Sequence, residues 1–275
     1  MGQNSHEFDW KHGDRNGVSG SVLLGLIREG RLWINCRKMM DHHPAFAAAV
    51  NSIHEELKSN CNEFTAIQRT ANLLISSPKA MVPYHVDMPV NMLWHVRGRK
   101  RVWVYPHFDQ RFVSQSVIEK VCAGEYSEDV PYDPQWDKYA LVYDVEPGQL
   151  LTWPQLTPHR VANLEGLNVS LSTEHKNARA TRRINVHQAN RFLRRRLGVG
   201  CTSSEVDGPL AHFKQAVARS VRGWNKLTQR ETKPFDYPIS FKIDPQSPLG
   251  YVDLGLSEDE MTSPHMNDQL VAGNS

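Results

Sequence analysis

Between residues 71 and 175 the chain is cut into short apolar runs, and this rhythm limits its fold more than any other feature. The runs are ANLLISSP (71–78), VPYHVD (82–87), NMLWHVR (91–97), KRVWVYP (100–106), YALVYDVE (139–146), GQLLTWP (148–154), HRVANLE (159–165) and NVSLSTEH (168–175). None exceeds eight residues, all are rich in Val, Leu, Trp or Tyr, and Gly and Pro punctuate them. That pattern predicts the strands of a β-sandwich or barrel. Gly98, between the third and fourth runs, predicts a hairpin. Residues 107–138 interrupt the series with Pro131, Pro134 and several charges. They predict an excursion over the rim, helical near Ser114–Val121.

The flanks read differently. Residues 1–20 are polar and Gly-rich, a loose arm, and SVLLGLIREG (21–30) predicts a short helix ending at Gly30. RLWINCR (31–37) alternates as a strand does. Pro44 opens PAFAAAVNSIHEELKSN, which has helical spacing and a proline suited to a first turn. After residue 176, VHQANRFLRRRLG and PLAHFKQAVARSVRGWNKL have helical periodicity, and LGVG (197–200) suits a helix C-cap. Residues 234–255 look extended, and the last twenty, polar and charged, predict disorder. The chain therefore divides into an arm (1–30), a β domain (31–180), a basic helical extension (181–230) and an extended, partly disordered tail (231–275).

Composition excludes several classes. Of 275 residues, 40% are hydrophobic and 23% charged, with a net charge of +2, so no global field steers the chain to a polyanion or a membrane. Cys36, Cys61, Cys122 and Cys201 form no CxxC pair, which argues against a zinc knuckle and fits reduced thiols of a cytoplasmic protein. The N-terminus lacks an apolar signal region, and no run approaches membrane-spanning length. Charge is uneven, however: fourteen Lys or Arg face three Asp or Glu across residues 176–233. A solvated helical face is the common explanation of such a run, with a partner surface, an acidic substrate or nucleic acid as rivals.

The chemistry concentrates in YHVDMPVNMLWHVRGRKRVWVYP (84–106). Residues two apart on a strand share a face, so His85 and Asp87 aim at one point, and His159 is the best third ligand. Two His and one carboxylate on one face are the ligand set of non-haem Fe(II) oxygenases. An isolated HxD is common, and a His on a β-face is more often packed than ligating. Here the pair follows a proline at a strand edge, and Lys100 lies one hairpin further on. Lys100 either points inward, where it can clamp a carboxylate, or continues the exposed run Arg97, Arg99, Arg101.

Pro83, His85, Asp87, Asn91, Gly98, Lys100 and Pro106, then Gly148, Pro154 and His159, keep the spacings of a known group. The segment resembles the JmjC-like cupins, the Fe(II)- and 2-oxoglutarate-dependent dioxygenases that include the asparaginyl hydroxylase of hypoxia-inducible factor. The resemblance covers about residues 31–175. It implies a mainly β fold with flanking helices, the double-stranded β-helix or cupin jelly roll. It implies that His85, Asp87 and His159 bind Fe(II), that Lys100 pairs with the distal carboxylate of 2-oxoglutarate, and that Asn91 lies near cosubstrate or metal. The chain departs from the pattern at His95, where the group has Gln, and at Val82, where it has Thr. His95 is left as a pocket residue, a ligand's partner, a stray ligand or a packed core residue. Ser172, on the strand after His159, is the candidate to supply the hydroxyl that Val82 lacks.

The resulting expectation is a hydroxylase that decarboxylates 2-oxoglutarate to succinate, using O2 and an unknown organic or protein substrate. The alternatives are a non-catalytic metal- or ligand-binding regulatory cupin and a basic nucleic-acid-associated protein. The helices of 186–226 are a candidate homodimer interface.

Overall fold

The computed structural model describes residues 12–30, 32–200, 203–228 and 238–255. The expectations for residues 1–11 and 256–275, and for Cys201, lie outside the described residues. In chain order the elements are β1 (His12–Asp14), α1 (Gly20–Glu29), β2 (Trp33–Cys36), the single turn α2 (Met39–His42), α3 (Pro44–Asn60), β3 (Ile67–Ser76), β4 (Met81–His85) and β5 (Val90–Val104). There follow α4 (Gln115–Cys122), a 3-10 turn (Pro134–Tyr139), β6 (Leu141–Val145), β7 (Leu150–Thr152), β8 (His159–Lys176), α5 (Ala178–Leu197), α6 (Pro209–Leu227), β9 (Ile239–Ile243) and β10 (Tyr251–Asp253).

Four of the expected runs merge into two long strands. Residues 91–97 and 100–106 are not a hairpin: they belong to the one strand β5, which bends at Gly98. Likewise 159–165 and 168–175 belong to β8, which bends at Gly166. The two strands run antiparallel, and their bends meet: a Cβ on Gly166 would lie 4.0 Å from the Gly98 Cα. The ladder is irregular between His95 and Lys100. Each strand therefore serves two sheets. One contains β2, β3, the second half of β8, the first half of β5, and β7. The other contains β4, the first half of β8, the second half of β5, and β6. This is a mainly β jelly roll with helices before and after it.

The irregularity also resets which side chains face inward. Leu93 and Val102 are nine apart, so an uninterrupted strand would put them on opposite faces. Both are buried in one core with Val145, Trp153 and Val161. The extra residue of the bulge changes the phase. Gly98 makes this possible, with φ +82° and no room for a side chain: a Cβ there would meet Asn168 Cγ at 2.7 Å and the Leu167 carbonyl at 2.8 Å.

The excursion at 107–138 is packed rather than merely arched over the rim. Phe112, Ile118, Val121 and Val130 form a second core with Tyr84 and Tyr105 from the outer face of the second sheet. Ser114 caps α4, its hydroxyl accepting from the Val117 N–H. Arg160 stacks 3.5 Å over Trp103 and binds Asp137, which also accepts from Tyr132 at 2.6 Å. Helix α3 occupies its expected span, Pro44–Asn60, and packs His54 against Phe64 and His175. Helix α5 begins eight residues before its expected start, at an Asn177 cap that accepts from the Ala180 N–H. The arm is less loose than expected: residues 12–14 pair in parallel with β9, which also pairs with β10.

Gly98→Ala should destabilise the protein by at least about 2 kcal/mol, the sum of left-handed strain and a clash with backbone. Urea unfolding of variant and parent measures it.

Candidate metal centre

His85 ends β4 and His159 begins β8, and the two are directly paired across the ladder. Each ring is oriented the same way. His85 Nδ1 donates to the Pro83 carbonyl at 2.8 Å, and His159 Nδ1 donates to the Thr157 carbonyl at 3.0 Å. A carbonyl can only accept, so Nδ1 carries the hydrogen and Nε2 keeps its lone pair. The ring centroids are 4.0 Å apart. Asp87 completes the group, with its oxygens 3.8 Å from His85 Nε2 and 3.4 Å from His159 Nε2. One donor atom from each residue lies within 4.8 Å of the others.

Asp87 does not come from the same strand as His85, as expected; β4 stops at His85. Other bonds aim it. Its carbonyl accepts from the Leu156 N–H at 3.0 Å, and the Met88 carbonyl accepts from Gln155 Nε2 at 2.7 Å. The turn that precedes His159 thus holds the segment that carries Asp87. Leu156 is buried with φ +63°, a conformation costing roughly 1–2 kcal/mol. On the carboxylate, Oδ2 accepts from Asn91 Nδ2 at 2.8 Å, and Asn91 Oδ1 accepts from the Ser172 hydroxyl at 2.9 Å.

The protonation states suit a divalent ion. Burial alone would raise the Asp87 carboxyl, but the His159 and His85 imidazoles, Asn91 and Trp153 outweigh it and hold it below the usual carboxylate range. Burial and then the neighbouring His85 push His159 down to about 3, so its imidazole is neutral at physiological pH. One anionic oxygen and two oriented lone pairs fit a 2-His-1-carboxylate ion such as Fe(II).

Lys100 faces the interior and is 5% exposed. Its ammonium opens on a cavity of about 40 Å³ lined by Ser76, Val82, Leu93, Val161 and Asn163. Among the described residues no group hydrogen-bonds or ion-pairs with it, and burial pushes its pKa down to about 8. Ser76, not Ser172, brings a hydroxyl to this cavity; the Ser172 hydroxyl donates instead to Asn91, which is bonded to Asp87. His95 is 2% exposed and both ring nitrogens are engaged, Nδ1 with the Ser170 hydroxyl at 3.0 Å and Nε2 with the Gly98 carbonyl at 2.9 Å. It braces the bend of β5.

Sequence reasoning missed two carboxylates. Glu174 is directly opposite Asn91, and Glu128 Oε1 accepts from the N–H of Met88, next to Asp87. Glu174 was legible: it keeps two-residue spacing with Ser172 and Ser170, both inward. Glu128, in an irregular segment, left no signal.

Much of the charge of α5, though not of the whole basic extension, is paired within the molecule. Five of the seven arginines of α5 form ion pairs: Arg179 and Arg182 with Asp207, Arg191 and Arg195 with Glu125, and Arg194 with the buried Glu119. On α6, Phe213 and Trp224 are exposed. Among the described residues no helix is long and apolar enough to cross a membrane.

A jelly roll with a His-Asp-His cluster at its mouth defines the chain as a cupin. A family model described as "Cupin-like domain" matches residues 32–177, more than half of the sequence, and the chain belongs to that family. Solved structures give distant likenesses. The DMSP lyase DddQ from Ruegeria pomeroyi is 10% identical with a TM-score of 0.26, over 40% of this chain and 39% of the lyase. A cupin superfamily protein from Desulfitobacterium hafniense is 12% identical with a TM-score of 0.25, over 42% of this chain and 72% of its own. A cupin domain from Bordetella pertussis is 10% identical with a TM-score of 0.26, over 42% and 88%. Scores this low carry no inference. No curated protein matches the sequence significantly.

Asn91→Ala removes the bond that orients Asp87. It should weaken Co(II) or Mn(II) binding about 10- to 100-fold, the usual effect of losing such a partner, as read by calorimetric titration.

Proposed function

We propose that this cupin is an Fe(II)- and 2-oxoglutarate-dependent oxygenase of the JmjC-like kind, a hydroxylase of an organic or protein substrate. The observation that carries the reading is Lys100. A buried ammonium without a counter-ion is costly, and a carboxylate entering its cavity would relieve that cost. Val104 is opposite His159 and Lys100 is opposite Asn163, four residues along β5, or roughly 13 Å at the rise of a strand. A lysine side chain and a five-carbon dicarboxylate together cover that span, so one molecule can meet both ends.

His85, Asp87 and His159 would hold the metal, leaving positions for a bidentate keto acid and for O2. Bound Fe(II) would supply dioxygen activation coupled to oxidative decarboxylation: one oxygen atom enters succinate, with loss of CO2, and the other enters the substrate C–H bond. The chain's own residues orient and exclude. Asn91 and Ser172 fix the Asp87 carboxylate, Lys100 fixes the far end of the cosubstrate, and Leu93, Val82 and Val161 keep the space between dry.

A regulatory cupin without turnover is the second reading, favoured by Val82, an apolar side chain lining the Lys100 cavity. Anaerobic titration with Fe(II) and 2-oxoglutarate, followed by a succinate assay in air, separates the two. The oxygenase should develop a visible charge-transfer band and release succinate, and Asp87→Ala should lose both. A wild-type protein that gives neither overturns the proposal.

The lysine also sets a pH dependence. Its folded pKa, about 8, lies below its ordinary 10.5. Below pH 8 the folded protein bears the full cost of the buried charge. As pH rises from 8 towards 10.5 that cost disappears, because the unfolded chain then binds the extra proton. Relative to Lys100→Met, apo stability should rise over that window by up to about 3 kcal/mol, while 2-oxoglutarate affinity falls. Urea midpoints and calorimetry across pH 7–10 check both.

A further inference from the structure

The oxygenase reading leaves the substrate open, and Glu174 narrows it. Strand register places it on the inner face opposite Asn91, the residue bonded to Asp87. Its Oε1 accepts from Asn72 Nδ2 at 2.7 Å, and Asn72 Oδ1 in turn accepts from the Lys38 N–H at 3.1 Å. The side chain is therefore aimed, and its second oxygen has no partner among the described residues. It is not part of the His-Asp-His group. On the other side of Asp87, Glu128 reaches solvent with one oxygen on the Met88 N–H.

Charge decides what such a mouth favours. A divalent ion, one aspartate, a dianionic keto acid and one ammonium sum to zero, so the loaded centre is neutral. What remains is Glu174, acted on by the exposed Arg37; burial and then Asp87 push Glu128 up to about 8, so it carries little charge at neutral pH. Burial and Asp87 push Glu174 up to about 7, with Arg37 and Asn72 acting the other way. A half-buried carboxylate with a free oxygen in that surrounding gains from a cation and loses from an anion. Arg37 acts on Glu174 only through space: among the described residues no ion pair joins the two.

Resting on the oxygenase reading for its location, we propose that Glu174 is a specificity-determining residue that binds a cationic group of the substrate, a primary ammonium or guanidinium, at the mouth of the metal centre. Lys100 would then hold the anionic cosubstrate at depth, and Glu174 the cationic substrate at the entrance.

The test measures binding directly, so that it does not depend on turnover. Glycine-flanked pentapeptides centred on lysine, arginine, asparagine or aspartate are titrated calorimetrically into full-length protein, without metal and loaded with Co(II) and 2-oxoglutarate under argon. Glu174→Gln keeps the acceptor for Asn72 and removes the charge. The wild type should bind a lysine or arginine peptide at least about tenfold more tightly than the asparagine one, the scale of one charge-assisted hydrogen bond. Glu174→Gln should abolish that preference with Co(II) affinity within about twofold of wild type. Equal binding of all peptides by wild type, or a preference surviving in Glu174→Gln, overturns the proposal. A large loss of Co(II) affinity in the variant also overturns it, by making Glu174 a ligand. If the wild type shows the preference but makes no succinate, the oxygenase reading fails while the cation site stands.

Discussion

A strand that passes from one sheet of a sandwich to the other must break its two-residue alternation somewhere, and everything in this molecule depends on where β5 does so. The break falls between His95 and Lys100, where Gly98 lies too close to Asn168 and the Leu167 carbonyl to carry a Cβ. Before it Asn91, Leu93 and His95 face inward; after it Lys100, Val102 and Val104 do. Without the bulge Asn91 and Lys100 would lie on opposite faces, and one pocket could not contain both. The geometry of the backbone, not a recognisable side-chain motif, thus turns Asn91, beside the His-Asp-His group, and Lys100 towards one interior.

The strand-forming runs were legible because β-branched and aromatic residues alternate between Gly and Pro. The helix at Pro44–Asn60 was legible from its first proline and its spacing. Their joining was not. A glycine with positive φ between two apolar runs reads equally well as a hairpin or as a bend, and only long-range pairing of β5 with β8 decides between them. The same limit applied to Asp87. Two-residue spacing suggested a shared strand with His85, but the carboxylate is delivered by a loop tied to the turn before His159, a contact across some seventy residues. Spacing picked out residues that the fold does bring together, but for the wrong reason.

The excursion was only partly legible for a similar cause. Its prolines and charges marked a segment over the rim but not its packing: Asp137 is the shared acceptor of Arg160, Tyr105 and Tyr132, and Phe112 is almost fully buried. A charge run on α5 was likewise ambiguous in one dimension. Ion pairs to Glu119, Glu125 and Asp207, distant in sequence, consume most of it. In both cases single-residue polarity was visible and the partner was not.

Arg160 has a consequence for anyone who would re-engineer this protein. Strand alternation turns it outward while its neighbour His159 turns inward, and through Asp137 and Trp103 it fastens the insert to the barrel. The insert is therefore not a detachable module. Transplanting a foreign loop between Pro106 and Tyr139, the obvious route to a new catalyst, removes the anchor one residue from an imidazole, so a graft has to import its own equivalent of Asp137.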